Sequence, residues 1–176
     1  MNNLENMDPH FRRFVEKIDK VVKMETEEKT ITSKVAEHMG DLLKHEDIIP
    51  EAYKKPNPDK YTLYPLYVAP DNSFSIASAV WDVGQSTPIH DHRTWGVIGI
   101  VQGEENEIHY EFSTNAQPKK VMERQLKKGM SLFAARLIKM STKSLVLQMY
   151  RALESMFTEE TSGKSSGECT IWKQGR

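Results

Sequence analysis

The spacing of hydrophobic positions changes near residue 60 of this 176-residue chain. Before that point apolar residues recur every three or four positions, which is typical of amphipathic helices. After it, apolar and polar residues alternate in short runs bounded by turn residues, as in β-strands. The order predicts a mainly β, α+β chain in which two N-terminal helices precede an antiparallel barrel or sandwich.

The first helix is predicted to begin at Asp8-Pro9, because an N-cap residue followed by proline is a helix-start signal. Its apolar face comprises Phe11, Phe14, Val15, Ile18, Val21 and Val22. A second helix is predicted from about Thr30 to Lys44, with Ile31, Val35, Met39, Leu42 and Leu43 on one face. His38 and His45, near the edges of that face, are interpreted as solvated residues. Prolines at positions 50, 56 and 58 end the helical part.

Four strands are predicted beyond residue 60: Tyr61–Val68, Phe74–Trp81, Ile89–Val101 and Glu107–Phe112. Turn signals separate them, and positive φ is expected at Gly84 and Gly103. The aromatic residues Tyr61, Tyr64, Trp81 and Trp95 are interpreted as core or pocket wall. The predicted organisation is a helical segment over 1–58, a barrel core over 59–129 and an atypical segment over 130–176.

Charge and composition favour a small ligand over a large charged partner. The chain has 24 Lys+Arg against 25 Asp+Glu, a formal charge of -1, so no net field favours nucleic acid or a membrane surface. No start resembling a signal peptide and no apolar run of about 20 residues is evident, which predicts a soluble, cytoplasmic protein. The single Cys169 cannot form an internal disulfide. Nothing in the sequence indicates the oligomeric state.

The main chemical signal is His90-Asp91-His92. Residues two apart in a strand point to the same face, so both imidazoles could reach one metal ion inside a barrel. Such a pair is weak evidence alone, since surface or hydrogen-bonded histidines also occur at this spacing.

This stretch resembles the cupin superfamily and, within it, the thiol dioxygenases, such as cysteine dioxygenase and the mercaptopropionate dioxygenases. The resemblance covers roughly 61–129 and is carried by Phe74 to Trp81, Gly84, Pro88, His90-Asp91-His92, Trp95-Gly96, Gly99 and Gly103. The first cupin motif often has a glutamate shortly after the second histidine, but Gly96 and Val97 stand there. Because it lacks this glutamate, the chain resembles the three-histidine subclass, which the thiol dioxygenases represent.

The resemblance implies a double-stranded β-helix barrel that holds Fe(II) and oxidises a small thiol to a sulfinic acid with O₂. His90 and His92 would be iron ligands. Some members anchor the substrate carboxylate through an arginine in the first barrel strand, which this chain lacks, and animal-type members have a cross-linked cysteine where Gly96 stands. Arg93 could contact a carboxylate instead, or be a solvated arginine on the barrel rim.

The third histidine of the family is missing after Gly129. His109 is the nearest candidate to replace it, with Tyr110 and Glu111 as weaker ones. If the codons are read one register over, positions 139–144 can encode Asp-Val-His-Lys-Val and positions 152–160 can encode Ile-Gly-Ile-His-Val-Tyr-Gly-Gly, which resemble the missing family motifs. One hypothesis is therefore that the chain from about Met130 is an out-of-frame translation.

The in-frame residues are compatible with that hypothesis, because Ser144 to Phe157 reads as helix-like where a barrel needs strands. The alternative is a genuine, divergent C-terminal helix and tail. Three functions stay open: the dioxygenase, a non-catalytic cupin module that binds a small molecule, and an inactive relic whose barrel cannot close.

Overall fold

The computed structural model describes residues 4–91, 94–112, 118–133, 137–141 and 144–150. These ranges contain two α-helices and eight β-strands. The helices are α1 (Pro9–Met24) and α2 (Glu28–Leu42); the strands are β1 (Thr62–Val68), β2 (Ser75–Trp81), β3 (His90–Asp91), β4 (Gly96–Phe112), β5 (Pro118–Lys127), β6 (Ser131–Phe133), β7 (Leu137–Ser141) and β8 (Ser144–Tyr150). None of the described helices is long and apolar enough to cross a membrane.

Helix α1 begins where the sequence predicts. The Asp8 side chain accepts hydrogen bonds from the backbone N–H groups of His10, at 2.7 Å, and Phe11, at 3.3 Å. These bonds satisfy two of the four amides that a helix start leaves unpaired. Helix α2 lies two residues earlier at each end than predicted, which is within the usual uncertainty of helix boundaries.

The strands form two antiparallel sheets that share β4. In the first sheet the order is β1-β2-β8-β4-β6, and in the second it is β3-β7-β4-β5. The N-terminal half of β4 pairs with β8 and β6, and its C-terminal half pairs with β5 and β7. Gly103, at φ 80°, lies where the strand passes from one sheet to the other. Its predicted positive φ is confirmed, but the strand bends there rather than ending.

Several predicted elements differ from the observed ones. Strands β1 and β2 match the first two predictions, whereas the stretch predicted as one strand over Ile89–Val101 contains β3 and the start of β4. The predicted strand over Glu107–Phe112 is the end of β4, and β5 was not predicted.

The helix-like interpretation of Ser144 to Phe157 is wrong for residues 144–150, which form β8; residues 151–157 lie outside the described ranges. Strand β8 pairs along its whole length with β2 and also with β4. Tertiary pairing on both sides overrides the local helical spacing. Strands that complete both sheets therefore come from beyond Gly129.

Two separate cores lie on opposite faces of the first sheet. Along β4, Val97 faces the helices, whereas Ile98 and Ile100 face the opposite side and pack with Leu126 of the second sheet. We call this space between the two sheets the barrel interior. Helix α2 packs so closely that a Cβ on Gly99 would lie 2.8 Å from Cγ and Sδ of Met39. We call the first group the helix-side core; it includes Phe11, Phe14, Ile18, Met39, Ile76 and Val97. The barrel cluster comprises Ala79, Trp81, Ile98, Ile100, Leu126 and Leu132.

Candidate metal and substrate site

Strand β7 brings His90 and His109 into one row across the second sheet. His90 pairs with Ile138, and Ile138 pairs on its other side with His109. Directly paired residues of antiparallel strands point to the same face of a sheet. The two histidines are two strands apart, about 10 Å between their Cα atoms. They therefore lie on one face, close enough for both side chains to extend toward a shared point.

That face is the barrel interior. Glu105, Glu107 and His109 alternate along β4, so all three share a side of the sheet. Glu105 pairs with Leu126, which belongs to the barrel cluster. The barrel interior therefore contains both the apolar side chains of the barrel cluster and the ionisable side chains of Glu105, Glu107 and His109.

His90 has an orientation suited to metal binding. Its Nδ1 lies 2.9 Å from the backbone oxygen of Pro88. Because a carbonyl oxygen can only accept, Nδ1 carries the proton and donates it to this bond. In the neutral ring the lone pair is then on Nε2, and this type of second hydrogen bond is common among metal-ligating histidines.

A partly buried network of charged side chains holds the ring of His109. Oε2 of Glu107 accepts from Nε2 of His109 at 2.7 Å and from Nε of Arg124 at 2.5 Å. The Glu107 side chain is fully buried, while those of His109 and Arg124 are 15% and 36% exposed. The other carboxylate oxygen, Oε1, is buried and has no hydrogen-bond partner among the described residues. The carboxylate is therefore held through a single oxygen.

Sequence reasoning singled out His109 but missed Glu107, Glu105 and Arg124. The period-two spacing of Glu105, Glu107 and His109 was a usable signal, because it places two carboxylates on the face of a candidate ligand. Arg124 could not have been found this way. Its position depends on the pairing of β5, a strand that the sequence pattern did not predict.

Two of the four predicted wall aromatics lie in the barrel. Tyr61 packs against the barrel cluster and stacks on Trp81 with ring centroids 5.6 Å apart. Burial raises the pKa of the Tyr61 phenol, so its hydroxyl stays protonated at neutral pH and can donate a hydrogen bond. Nε1 of Trp81 is buried without a hydrogen-bond partner among the described residues.

The other two aromatics, which were interpreted as core or pocket wall, lie on the helix side of the first sheet and not in the barrel interior. Trp95 is buried in the helix-side core. Tyr64 packs against that same core, with its ring 6.1 Å from the ring of Tyr53 and its hydroxyl donating to the backbone oxygen of Lys55 at 2.7 Å. Alternation along the strands shows which residues share a face, but not which face the helices cover. The sequence pattern alone therefore could not distinguish Tyr64 and Trp95 from Tyr61 and Trp81.

The remaining predicted site residues contribute less. His92 and Arg93 lie outside the described residues, and only the backbone of Asp91 is described. Of the weaker third-ligand candidates, Tyr110 is half-buried and Glu111 is exposed. In the part of the chain that is described, no three His, Cys, Asp or Glu side chains form a group that could hold a metal. Imidazole nitrogens such as those of His90 and His109 suit Fe(II) in donor type, but the described donors do not complete a site.

The helices carry a second group of histidines. The rings of His10 and His45 stack with centroids 3.5 Å apart, and these residues line a shallow cleft with His38 and Asp41. Arg13 and Lys17 line the same cleft, and the Asp41 carboxylate accepts a hydrogen bond from Lys44. This group lies outside the barrel, so its histidines are suitable control positions for tests of a metal site.

No protein-family model matches the sequence. Among solved structures, an RmlC-like cupin from Desulfovibrio desulfuricans aligns at 18% identity and a TM-score of 0.43, over 61% of this chain and 93% of that one. A Klebsiella pneumoniae protein with a double-stranded β-helix domain aligns at 14% identity and a TM-score of 0.46, over 61% and 90%.

A hydroquinone 1,2-dioxygenase, in complex with Cd²⁺ and 4-hydroxybenzonitrile, aligns at 10% identity and a TM-score of 0.46, over 56% of this chain and 68% of that one. At these values the matches support no inference about activity or metal. The two antiparallel sheets, joined through β4 and preceded by two helices, define the architecture. The predicted mainly β, α+β order, two N-terminal helices followed by antiparallel strands, is confirmed.

Proposed function

We propose that the barrel interior is the iron site of a thiol dioxygenase-like cupin, which oxidises a small thiol to a sulfinic acid with O₂. The observation that supports this most is the row of His90 and His109 on the interior face of the second sheet. Both oxygen atoms of O₂ are transferred to sulfur, so R–SH and O₂ give R–SO₂H and no other reductant is required.

Three imidazoles would hold the metal. His90 would bind through Nε2, since its Nδ1 is engaged by Pro88. His92, two residues along the chain, is the second ligand, and His109 is the third through Nδ1, because its Nε2 is engaged by Glu107. A bound Fe(II) would supply open coordination positions for a thiolate and O₂.

The other interior residues would shape the substrate pocket. Tyr61 and Trp81 form a stacked, largely buried wall that excludes water. The protonated Tyr61 hydroxyl and the buried Trp81 Nε1–H are donors that could bind a polar group of the substrate. Arg93 is the proposed partner for a substrate carboxylate. A cysteine-like or mercaptocarboxylate substrate would therefore be bound through donors other than the missing arginine of the first strand.

The direct test is O₂ consumption and sulfinate formation with cysteine and 3-mercaptopropionate after anaerobic loading with Fe(II). We expect about one iron per chain and equal consumption of O₂ and thiol in the unaltered protein. His90→Ala should lose both iron and activity because it removes a direct ligand, whereas His38→Ala, in the helix cleft, should retain both. Unchanged iron content in His90→Ala would refute the site.

The alternative is a cupin module that binds a small molecule without turnover. It is favoured by the absence of a three-donor metal group among the described residues. In that case a thiol or carboxylate ligand would bind the metal-free chain, and iron loading would produce no sulfinate. Those two results together would replace the enzyme proposal with the module.

A second alternative is an inactive, frameshifted product. The closing strand β8 is formed by in-frame residues 144–150, and the out-of-frame His-Val-Tyr motif would fall on residues beyond it. The gene sequence from the codon of Gly129 tests the hypothesis. A neighbouring frame that encodes histidine across Ser141 and Thr142 would support it, and any other residue there would refute it.

A further inference from the structure

The second sheet buries the Glu107 carboxylate, of which one oxygen accepts hydrogen bonds from both a histidine and an arginine. We propose that Glu107 is a positioning residue, which fixes the ring and tautomer of His109 so that Nδ1 points to the metal. This inference rests on the proposed function, in which His109 is the third ligand. It adds Glu107 and Arg124 to the site as residues that act through His109.

The hydrogen bond determines which nitrogen is available. An ionised carboxylate only accepts, so the 2.7 Å contact requires the proton on Nε2 of His109. The neutral imidazole then has its lone pair on Nδ1. Carboxylates in this position orient metal-binding histidines and raise their basicity. Without Glu107, the His109 ring could take either tautomer and several rotamers.

The sheet makes this arrangement rigid. Glu107 and His109 are two residues apart on β4 and share its interior face. Arg124 is the direct partner of Glu107 on β5. All three groups are thus fixed by strand register and not by a loop, as an oriented ligand requires.

Burial argues against a purely structural role for Glu107. Its side chain is fully buried, yet only Oε2 has described partners, and a buried carboxylate held this way costs free energy. An apolar residue of similar size often serves stability as well as or better than a buried ion pair. A cation beside His109 would offset part of the cost through its field, which connects this carboxylate to the metal.

The experiment measures the His109 tautomer and metal affinity separately. Imidazole ¹⁵N NMR on the metal-free protein at about pH 8, where ordinary imidazoles are neutral, reports the protonated nitrogen. We expect a single Nε2–H form in the unaltered chain and a mixture in Glu107→Leu. Anaerobic titration with Co²⁺ should show about 10–100-fold weaker binding in Glu107→Leu, with Glu107→Gln between the two because its amide oxygen still accepts.

The matched control is Glu123→Leu, which makes the same change at an exposed carboxylate of β5. It should leave tautomer and affinity unchanged. A mixed tautomer in the unaltered chain would overturn the inference even if Glu107→Leu did not fold. Unchanged affinity in Glu107→Leu would also overturn it. If His109→Ala binds Co²⁺ as tightly as the unaltered chain, the proposed third ligand is wrong, a result distinguishable from failure of the tautomer prediction.

Discussion

The two faces of the first sheet lead to cores of different chemistry. On the helix side, α1 and α2 cover the sheet with aliphatic and aromatic side chains, many of them almost fully buried. Inside the barrel, a small apolar cluster meets Glu105 and Glu107, which are 1% and 0% exposed. Apolar packing stabilises a fold, whereas buried charge costs free energy unless it is paired. The helix-side core therefore carries most of the stabilising apolar packing, whereas the buried charges lie in the barrel interior, where the proposed binding site is.

The largest effect on stability is expected from the helix-side core. Phe11 is 0% exposed, and Phe11→Ala should lower the free energy of unfolding by about 3–5 kcal/mol through lost burial and a residual cavity. Urea denaturation measures this loss. At temperatures where the variant is folded, its Co²⁺ affinity should equal that of the unaltered chain. A specific loss of metal affinity in the folded variant would break the proposed division between the two cores.

A somewhat smaller effect on stability is expected from breaking the ion pair between Arg124 and Glu107. Arg124→Met leaves the Glu107 carboxylate without its cation and should cost about 2–3 kcal/mol, less than for a fully buried pair because Arg124 is partly exposed. The double variant Arg124→Met/Glu107→Leu should regain most of that stability while still binding metal weakly. Denaturation of the two variants supplies the comparison. Equal instability of both would mean that packing, and not charge, sets the cost.

The third expected effect concerns the contact between α2 and β4. Gly99→Val would place side-chain atoms against Met39 and should cost about 1–3 kcal/mol through overpacking. A Cβ on Gly40, within α2, would meet no neighbouring atom within 4 Å, so Gly40→Ala should instead stabilise the chain by about 0.5–1 kcal/mol. Thermal unfolding compares them. Equal stability of both variants would show that the close approach at Gly99 is not required.

Local signals predicted much of the fold. The Asp8-Pro9 start, the apolar face of α1 and strands β1 and β2 all follow from spacing that neighbouring residues impose. The positive φ of Gly84 follows from turn chemistry, whereas that of Gly103 was predicted for a turn and occurs at a bend within β4. What failed depends on distant pairing: β8 has a helix-like pattern but lies between β2 and β4, and those partners determine its conformation.

The same limit applies to the candidate site. The sequence indicated His90 and named His109 as a possible ligand, because histidine type and strand spacing are local features. Their placement in one row depends on Ile138, from a segment in which no regular strand was predicted. The separation of Tyr61 and Trp81 from Tyr64 and Trp95 depends on which face the helices cover. Local pattern thus gives candidates, and sheet register decides which of them meet.

Paramagnetic NMR of the imidazole side chains during anaerobic titration with Co²⁺ distinguishes the two regions in one measurement. Broadening by the metal falls steeply with distance, so the first signals lost identify the ligands. We expect the His90 and His109 signals to broaden at substoichiometric metal, with His10, His38 and His45 of the helix cleft unaffected. Earlier broadening of the helix histidines, or no broadening of His90, would contradict a metal site inside the barrel.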